Sequence, residues 1–242
     1  MHFEINYQET YSRGELLLRT FFGWLYIAIP HLFVLIFLSL WGAILAFVSW
    51  WIILFTGRYP ESFFEYQVRL LRWETRLQAS LWNLADGYPP FSLEEKNRMA
   101  QVEVPYPQSL SRGLLLLKLF FGWIYVGVPH GFMLIFRMIG SYVLAFLAWW
   151  VVLFTGKYPK SWHEFNVGTM RWGTRVNLYW MLFMNDDYPP FSGRRESAPA
   201  ATGPIAPTGP IAPSGPTAPS GPTAPSAPTT PTTPTAPPAQ PA

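Results

Sequence analysis

The sequence of 242 residues contains no cysteine and few charged side chains. The absence of cysteine excludes disulfides, thiolate metal ligands and cysteine nucleophiles, although it does not identify the redox compartment. Charged residues make up 13% of the chain, compared with about 25% in an ordinary soluble domain. Half of the residues are hydrophobic and 18% are aromatic. This composition indicates that lipid, rather than water, surrounds a large part of the chain.

Charge is scarcest in two stretches of 42 residues, 16–57 and 115–156, which contain no acidic residue. The first holds one charged side chain, Arg19, and the second holds two, Lys118 and Arg137. A helix that crosses a bilayer needs about 20 residues, so each stretch is long enough for two crossings joined by a tight turn. The basic residues cluster beside these stretches, so the net charge of +3 suggests an anionic membrane surface as partner rather than nucleic acid.

The two stretches belong to an internal duplication, because a shift of 99 residues superposes the chain on itself. The recurring motifs are Ser-Arg-Gly, Phe-Phe-Gly-Trp, Pro-His, Thr-Gly-Arg/Lys-Tyr-Pro and Arg-Trp-x-x-Arg, and the block Tyr-Pro-Pro-Phe-Ser follows at a shift of 100. They begin at Ser12, Phe21, Pro30, Thr56, Arg72 and Tyr88 in the first copy, and at Ser111, Phe120, Pro129, Thr155, Arg171 and Tyr188 in the second.

With a basic residue near the start of each apolar run, followed by these motifs in this order, the chain resembles a bacterial family, the domain-of-unknown-function family 4389. The resemblance covers about residues 10–92 and 109–192 and leaves out the C-terminal tail. It implies a bacterial integral membrane protein whose activity is uncharacterised. No catalytic or binding residues can be carried over from the family, so the resemblance adds no chemistry.

Two features favour a hairpin in each copy. Residues 38–44 differ from residues 137–143 at every position, as a surface turn would allow. A hairpin also returns the chain to its starting side, which places every basic residue except Arg137 on one face, the cytoplasmic one by the positive-inside rule. A single crossing per copy is disfavoured, because it would divide the basic residues about evenly between the two sides. A re-entrant wedge in one leaflet remains as an alternative, because the second arm has only about 15 residues.

The predicted fold is an all-α membrane protein of two tandem repeats, each a transmembrane helical hairpin followed by a cytoplasmic interfacial amphipathic helix. A disordered C-terminal tail rich in Pro, Ala and Thr follows. The predicted bounds are 1–97 for the first repeat (hairpin about 15–57, amphipathic helix about 61–85), 98–195 for the second (hairpin about 114–156, amphipathic helix about 160–185) and 196–242 for the tail. Apolar and polar side chains alternate in residues 2–7 and 102–106, which fits either two paired strands or extended loops.

Proline and histidine interrupt each apolar run at the same depth. Pro30 and Pro129 remove a hydrogen bond to the carbonyl four residues earlier, so a helix kink is expected at each. His31 and His130 follow them and are intramembrane candidates for a proton relay or a metal ligand. A neutral imidazole bonded to the carbonyl that the kink frees is favoured, since neither run contains an acidic residue.

Cations and aromatic rings are expected near the membrane surface. Arg19 and Lys118 are predicted to extend to the lipid headgroups. The candidate headgroup contacts on the amphipathic helices are Arg72, Arg76, Arg171 and Arg175. An equal alternative is that each helix packs on the hairpin and its arginines pair with Glu65, Glu164 or the nearby aspartates. The candidate interfacial aromatic residues are Trp50, Trp51, Tyr59, Trp149, Trp150 and Tyr158.

The sequence contains no phosphate loop, nucleophile–base motif or metal-ligand cluster, so no enzyme activity, cofactor or metal is predicted. The favoured function is a non-enzymatic membrane-organising or scaffolding protein that contacts anionic lipid. One alternative is an oligomeric transporter or channel for lipid or a small solute, with His31 and His130 lining the path. Another is membrane shaping by re-entrant hairpins. An enzyme acting at the interface would need a histidine beside Asp86 or Asp186, which are predicted to act in turns.

The expected partners are membrane lipids, further copies of the chain, and a protein that binds the proline-rich tail, with no nucleic acid. The expected location is the bacterial cytoplasmic (inner) membrane, with a multi-pass topology and both termini in the cytoplasm.

Overall fold

The computed structural model describes residues 1–93 and 99–196. Linker residues 94–98 lie outside the described residues, and so does the predicted disordered tail, 196–242, apart from Glu196. The described part is mostly helical, with two candidate membrane-spanning helices and one two-stranded sheet.

The first repeat begins with an unbroken helix of 44 residues, Arg13–Thr56, which is long and apolar enough to cross a membrane. In this helix α1 (Arg13–Gly23) continues through a π-helical turn (Trp24–Ala28) into α2 (Ile29–Thr56). After a short turn the chain returns in α3 (Glu61–Leu81). The first repeat is thus one long helix and one shorter helix.

The second repeat has the same order of elements. Its long helix, Arg112–Thr155, also has 44 residues. Its elements are α4 (Arg112–Gly122), a π-helical turn (Trp123–Gly127), α5 (Val128–Thr155), α6 (Lys160–Val176) and a second π-helical turn (Asn177–Met181). We refer to Arg13–Thr56 and Arg112–Thr155 as the long helices.

The predicted helical hairpins are not formed, because residues 38–44 and 137–143 are helical and lie inside α2 and α5. Neither segment contains proline, asparagine or aspartate, and a continuous helix keeps every backbone hydrogen bond where water is excluded. The divergence between the two segments therefore does not mark a turn.

A π-helical turn precedes Pro30 and accommodates its missing N–H. The N–H of Ile29 bonds to the carbonyl of Trp24, five residues earlier. The carbonyl of Tyr26 is left without its usual helical donor, as the proline predicts, and it accepts a hydrogen bond from the Tyr88 hydroxyl at 3.1 Å. The second repeat has the same two bonds, from Val128 to Trp123 and from Tyr188 to Tyr125.

The shorter helices pack against the long helices, which is the packed arrangement of the two that the sequence allowed. Gly57 ends α2 at a φ of 73°, a left-handed conformation that glycine adopts without strain. Gly42 then lets α3 approach α2, since a Cβ there would lie 3.0 Å from Leu70. The Gln67 amide donates to the Gly42 carbonyl at 2.6 Å. Helices thus occupy much of the predicted segments 61–85 and 160–185.

The long helices run antiparallel, because the start of each lies beside the end of the other. The N–H of Tyr11 donates to the Gly156 carbonyl and that of Leu110 to the Gly57 carbonyl, both at 2.8 Å. Strands β1 (His2–Ile5) and β2 (Ala100–Glu103) pair antiparallel, which confirms the paired-strand alternative. The sheet packs on α3 and α6. The fold therefore has a layer of long helices and an inner layer of α3, α6 and the sheet.

Candidate functional site

Each long helix buries one narrow stripe and exposes large hydrophobic side chains on the rest of its surface. We call the exposed large hydrophobic residues from Leu17 to Phe55 and from Leu116 to Phe154 the outer face. Successive members are never more than four residues apart, so every helical turn contributes to it. An apolar patch this extended is typical of a surface that binds a membrane or another protein.

Exposed cations stand at both ends of the outer face. Arg13 lies beside the end of α5, where its guanidinium donates to the Phe154 carbonyl at 3.1 Å, and exposed Lys157 follows that helix. Arg58 and Arg112 occupy the opposite end in the same way and are exposed. We call these four residues the end cations. The antiparallel pair thus places basic residues at both ends, instead of gathering them on one side as the hairpins would have done.

Arg19 and Lys118 do not extend to the surface as predicted, because each pairs with an aspartate of its own repeat. The Arg19 guanidinium is buried against the carboxylate of Asp86. The Lys118 ammonium lies 2.9 Å from the carboxylate of Asp186. Each aspartate also accepts the backbone N–H at the start of its long helix, from Ser12 or Ser111. The aspartates therefore lock the start of each long helix, a larger role than the turn chemistry predicted for them.

The four candidate headgroup arginines face inward. Arg76, Arg171 and Arg175 are 0%, 1% and 5% exposed, and Arg72 is half-buried. Each donates to a backbone carbonyl, the acceptors being Val102 for Arg72, Ser92 for Arg76, Phe3 for Arg171 and Ser192 for Arg175. These arginines connect the sheet and the Tyr-Pro-Pro-Phe-Ser blocks to α3 and α6. Arg171 also pairs with Glu164 at 3.1 Å, as the alternative of pairing with acidic residues predicted, and the four arginines do not face outward to lipid headgroups.

The predicted aromatic belt divides between the surface and the core. Trp51 and Trp150 are exposed members of the outer face. Tyr59 and Tyr158 are buried in the core, because the turn after each long helix directs them inward, and the Tyr158 hydroxyl accepts from the Asn166 amide at 2.9 Å. The remaining pair, Trp50 and Trp149, is half-buried.

The repeated motifs of the first copy converge on His31, which is fully buried on the inner side of α2. Its Nδ1 accepts a hydrogen bond from the Trp73 indole N–H at 2.9 Å. Its ring stacks on Phe91 with 3.8 Å between the ring centres and an angle of 11°. Tyr88 lies 5.4 Å away on the same aromatic wall. The motifs Pro-His, Arg-Trp-x-x-Arg and Tyr-Pro-Pro-Phe-Ser thus recur together because they form one cluster.

The second copy builds the same cluster around His130. The Trp172 indole N–H donates to its Nδ1 at 2.9 Å, and Phe191 stacks on the ring at 4.0 Å. An indole N–H can only donate, so Nδ1 carries no proton and each imidazole is neutral while this bond lasts. The freed carbonyls at Tyr26 and Tyr125 are bonded by tyrosines, so the predicted imidazole–carbonyl bond is not formed.

Within the part of the chain that the structure describes, no group of three or more His, Cys, Asp or Glu side chains could hold a metal ion. Aromatic rings of the same repeat enclose His31 in the first copy and His130 in the second. Asp86 and Asp186 bond to a cation and a serine N–H, so neither is the partner of a histidine. The arrangement can stabilise helix packing, and it offers no acid–base pair.

His163 is a buried residue that sequence reasoning missed. Its Nε2 lies 3.1 Å from the Leu84 carbonyl of the first repeat, and its ring meets Tyr7 and Tyr158 edge-on. Burial lowers the pKa of this histidine. The signal in the sequence is that Phe64 occupies the equivalent position of the first copy. His163 therefore connects the two repeats and marks a place where the copies have diverged.

Glu74 on α3 is a second residue that sequence reasoning missed, and it leads to a pH-dependent prediction. It lines a cavity of about 260 Å³ with residues of α5 and α6, accepts from the Ser39 hydroxyl at 3.3 Å, and has its pKa raised by burial. A raised folded-state pKa means that ionised Glu74 destabilises the fold at neutral pH. This penalty disappears as the pH falls through the folded-state pKa to the ordinary value of 4.5.

We expect Glu74→Gln to raise the midpoint of thermal unfolding at pH 7 by roughly 2–4 °C, which corresponds to about 1 kcal/mol in a chain of this size. The gain should shrink towards zero near pH 4, where the wild-type carboxyl is also neutral. Glu65→Gln on the exposed side of α3 is the matched control. An equal gain at both pH values would show that burial of the charge is not its cause.

The family described as Domain of unknown function (DUF4389) matches residues 15–92 and 117–193. No curated protein and no solved structure matches the chain. The two matched regions coincide with the two copies, each containing most of a long helix, the returning helix and the histidine cluster. The chain therefore belongs to the DUF4389 family and carries two tandem copies of its domain.

Proposed function

We propose that this protein is a non-enzymatic membrane-organising protein that lies in one leaflet of the bilayer. The outer face of the long helices is buried among acyl chains, while α3, α6 and the sheet face water. The end cations contact anionic headgroups at the two ends of the helix pair. This arrangement takes the place of the multi-pass topology that the apolar runs suggested.

The length of the outer face carries this proposal. From Leu17 to Phe55 it extends for about 57 Å at about 1.5 Å per residue. The hydrocarbon core of a bilayer is about 30 Å thick. A helix upright in that core would leave nearly half of its exposed apolar side chains in headgroups and water. The same helix lying along the interface keeps all of them in lipid.

The position of the inner layer supports the same arrangement. Gln67 bonds to Gly42 and Trp73 to His31, so α3 runs beside the middle of the first long helix. Any crossing that centred the long helix in the bilayer would carry α3 into the hydrocarbon. The charged side chains of Glu65 and Arg69, which are 54% and 43% exposed, would then face acyl chains at a cost of several kcal/mol.

Insertion into a single leaflet also explains how such a protein would organise a membrane. Two antiparallel helices, each about 66 Å long, form a wide apolar surface. Inserted in one leaflet, the two helices would increase the area of that leaflet relative to the other. This retains the membrane-shaping role without re-entrant hairpins. The transporter alternative has no supporting observation, since His31 and His130 face closed aromatic clusters.

The test uses the absence of cysteine, which permits single introduced thiols. Glu9→Cys places a thiol before the first long helix and Glu61→Cys places one after it, and each replaces an exposed glutamate. In vesicles that hold each single-cysteine variant in one orientation, an impermeant maleimide added outside should label both variants or neither. Labelling of one position from outside, and of the other only after the vesicles are opened, would mean that the helix crosses the membrane. Phe37→Cys on the outer face should resist the reagent in both cases.

A further inference from the structure

We propose that the second repeat contains a binding site for a phosphate group that the first repeat lacks. The site is a cleft of about 530 Å³ between the middle of α5, the start of α6 and the segment after Phe191. The side chains that would bind the ligand are Arg137, Ser161, Ser192 and Arg194. The inference goes beyond the in-plane arrangement and does not depend on it.

Arg137 is held in place by neutral partners that leave its charge uncompensated. Its Nε donates to the Thr169 hydroxyl at 3.0 Å and one terminal nitrogen donates to the Phe165 carbonyl at 3.3 Å. Its guanidinium lies 4.4 Å from the centre of the Phe165 ring. Among residues 1–93 and 99–196, no carboxylate forms an ion pair with Arg137 or with Arg194. The cleft therefore contains two guanidinium charges that no carboxylate of the described residues pairs with, and Arg137 keeps further N–H donors for an anion.

The one carboxylate of the cleft is already neutralised. Glu164 pairs with Arg171 at 3.1 Å and with Arg195 at 3.2 Å. It can position those arginines, and its negative charge is offset before an anion arrives. The electrostatic potential in the cleft is thus set by Arg137 and Arg194, with the hydroxyls of Ser161 and Ser192 as further donors.

Two glycines create the room for Arg137. A Cβ on Gly193 would lie 2.2 Å from the Gly168 carbonyl oxygen and 2.6 Å from the Arg137 guanidinium. A Cβ on Gly168 would lie 2.7 Å from the same guanidinium. The backbone of the two segments could not approach so closely with any other residue type. Gly168 and Gly193 therefore leave the space that the Arg137 guanidinium occupies beneath the segment at Gly193.

The first copy keeps the two serines, as Ser62 and Ser92, but lacks both arginines and both glycines, which makes it an internal comparison. Leu38 stands at the position of Arg137, Arg69 at that of Gly168 and Leu93 at that of Gly193. One of the differences between residues 38–44 and residues 137–143 is therefore the arginine of the proposed site. The duplication kept the histidine cluster in both copies and placed the anion site in one.

A tetrahedral phosphate fits this donor set, since guanidinium forks and hydroxyls are the groups that bind phosphate oxygens in proteins. The phosphate could belong to a lipid headgroup or to a soluble compound. Phe136 of the outer face is next to Arg137 in the chain, so a lipid would find a surface for its acyl chains beside the cleft. The two sources share one recognition chemistry and are separated by experiment.

The experiment measures binding of two probes to the full chain in detergent by titration calorimetry: inorganic phosphate and short-chain phosphatidic acid. Binding of phosphatidic acid alone identifies a lipid source, and binding of both identifies recognition of the phosphate itself. Arg137→Leu copies the first repeat, and Arg194→Gln alters an exposed side chain, so the fold should survive. Each should weaken binding about tenfold or more, as the loss of a charge-assisted hydrogen bond predicts.

Arg69→Gln removes a cation of the first repeat and is the control for net charge; it should leave binding unchanged. Unfolding midpoints of all variants separate loss of binding from loss of fold. The proposal would be overturned if neither probe binds, or if Arg194→Gln leaves the binding intact.

Discussion

Asp86→Ala should lower the free energy of unfolding by about 3–5 kcal/mol, the cost of removing one partner from a buried ion pair. The substitution removes the nearer counter-ion of the Arg19 guanidinium, whose side chain is 3% exposed, and leaves only the half-exposed Glu15 carboxylate at 3.9 Å. It also removes the acceptor for the Ser12 N–H at the start of the first long helix. Because that helix start packs against the end of α5, the loss should weaken the contact between the two repeats.

The measurement is denaturant unfolding of the protein in detergent, followed by tryptophan fluorescence. Glu65→Ala is the matched control, since it breaks an exposed pair with Arg69 and should cost less than about 1 kcal/mol. If Asp86→Ala cost no more than this control, Arg19 would not be buried in the way that the structure describes.

Gly122→Ala and Gly23→Ala should change stability in opposite directions, although the two glycines occupy equivalent positions of the two repeats. In the second repeat the π-helical turn Asn177–Met181 brings Trp180 against α4, and a Cβ on Gly122 would lie 2.4 Å from its indole nitrogen. Moving that indole should cost about 1–3 kcal/mol, as overpacking generally does.

In the first repeat a Cβ on Gly23 would meet only the Cβ of Arg19, at an ordinary 3.6 Å. Alanine there should stabilise the helix by roughly 0.5–1 kcal/mol, because glycine has more conformational freedom to lose on folding. Unfolding midpoints of the two variants, measured side by side, check both signs. Stabilisation by both substitutions would indicate that Trp180 does not press on α4, and destabilisation by both would contradict the open space at Gly23.

The sequence was a good guide wherever a signal repeated in the chain. The duplicated motifs predicted two copies and the family, and the alternation in residues 2–7 and 102–106 allowed for the paired strands. Pro30 and Pro129 predicted freed carbonyls, and Tyr26 and Tyr125 do accept side-chain hydrogen bonds. The motif members also proved to belong together, although their cluster could not be derived from spacing alone.

Sequence patterns did not predict the structure correctly where one stretch of sequence is compatible with two structures. An apolar run of 42 residues fits a hairpin of two crossings and equally one helix of 44 residues, because both satisfy the backbone. Divergence at residues 38–44 looked like a turn, yet it accompanies the change from Leu38 to Arg137. Surface periodicity likewise did not decide between outward and packed arginines on α3 and α6, and the segments that follow these helices in the chain cover Arg76 and Arg175.

By itself the sequence determined that the protein is a duplicated, helical, strongly apolar chain of this family, because composition and repeated motifs are enough for that. Only the tertiary structure decided that the long helices are antiparallel and that Arg19 meets Asp86, 67 residues further along the chain. The reason is physical. A buried charge or an apolar face is satisfied by whichever group the fold brings to it, and sequence separation does not limit that choice.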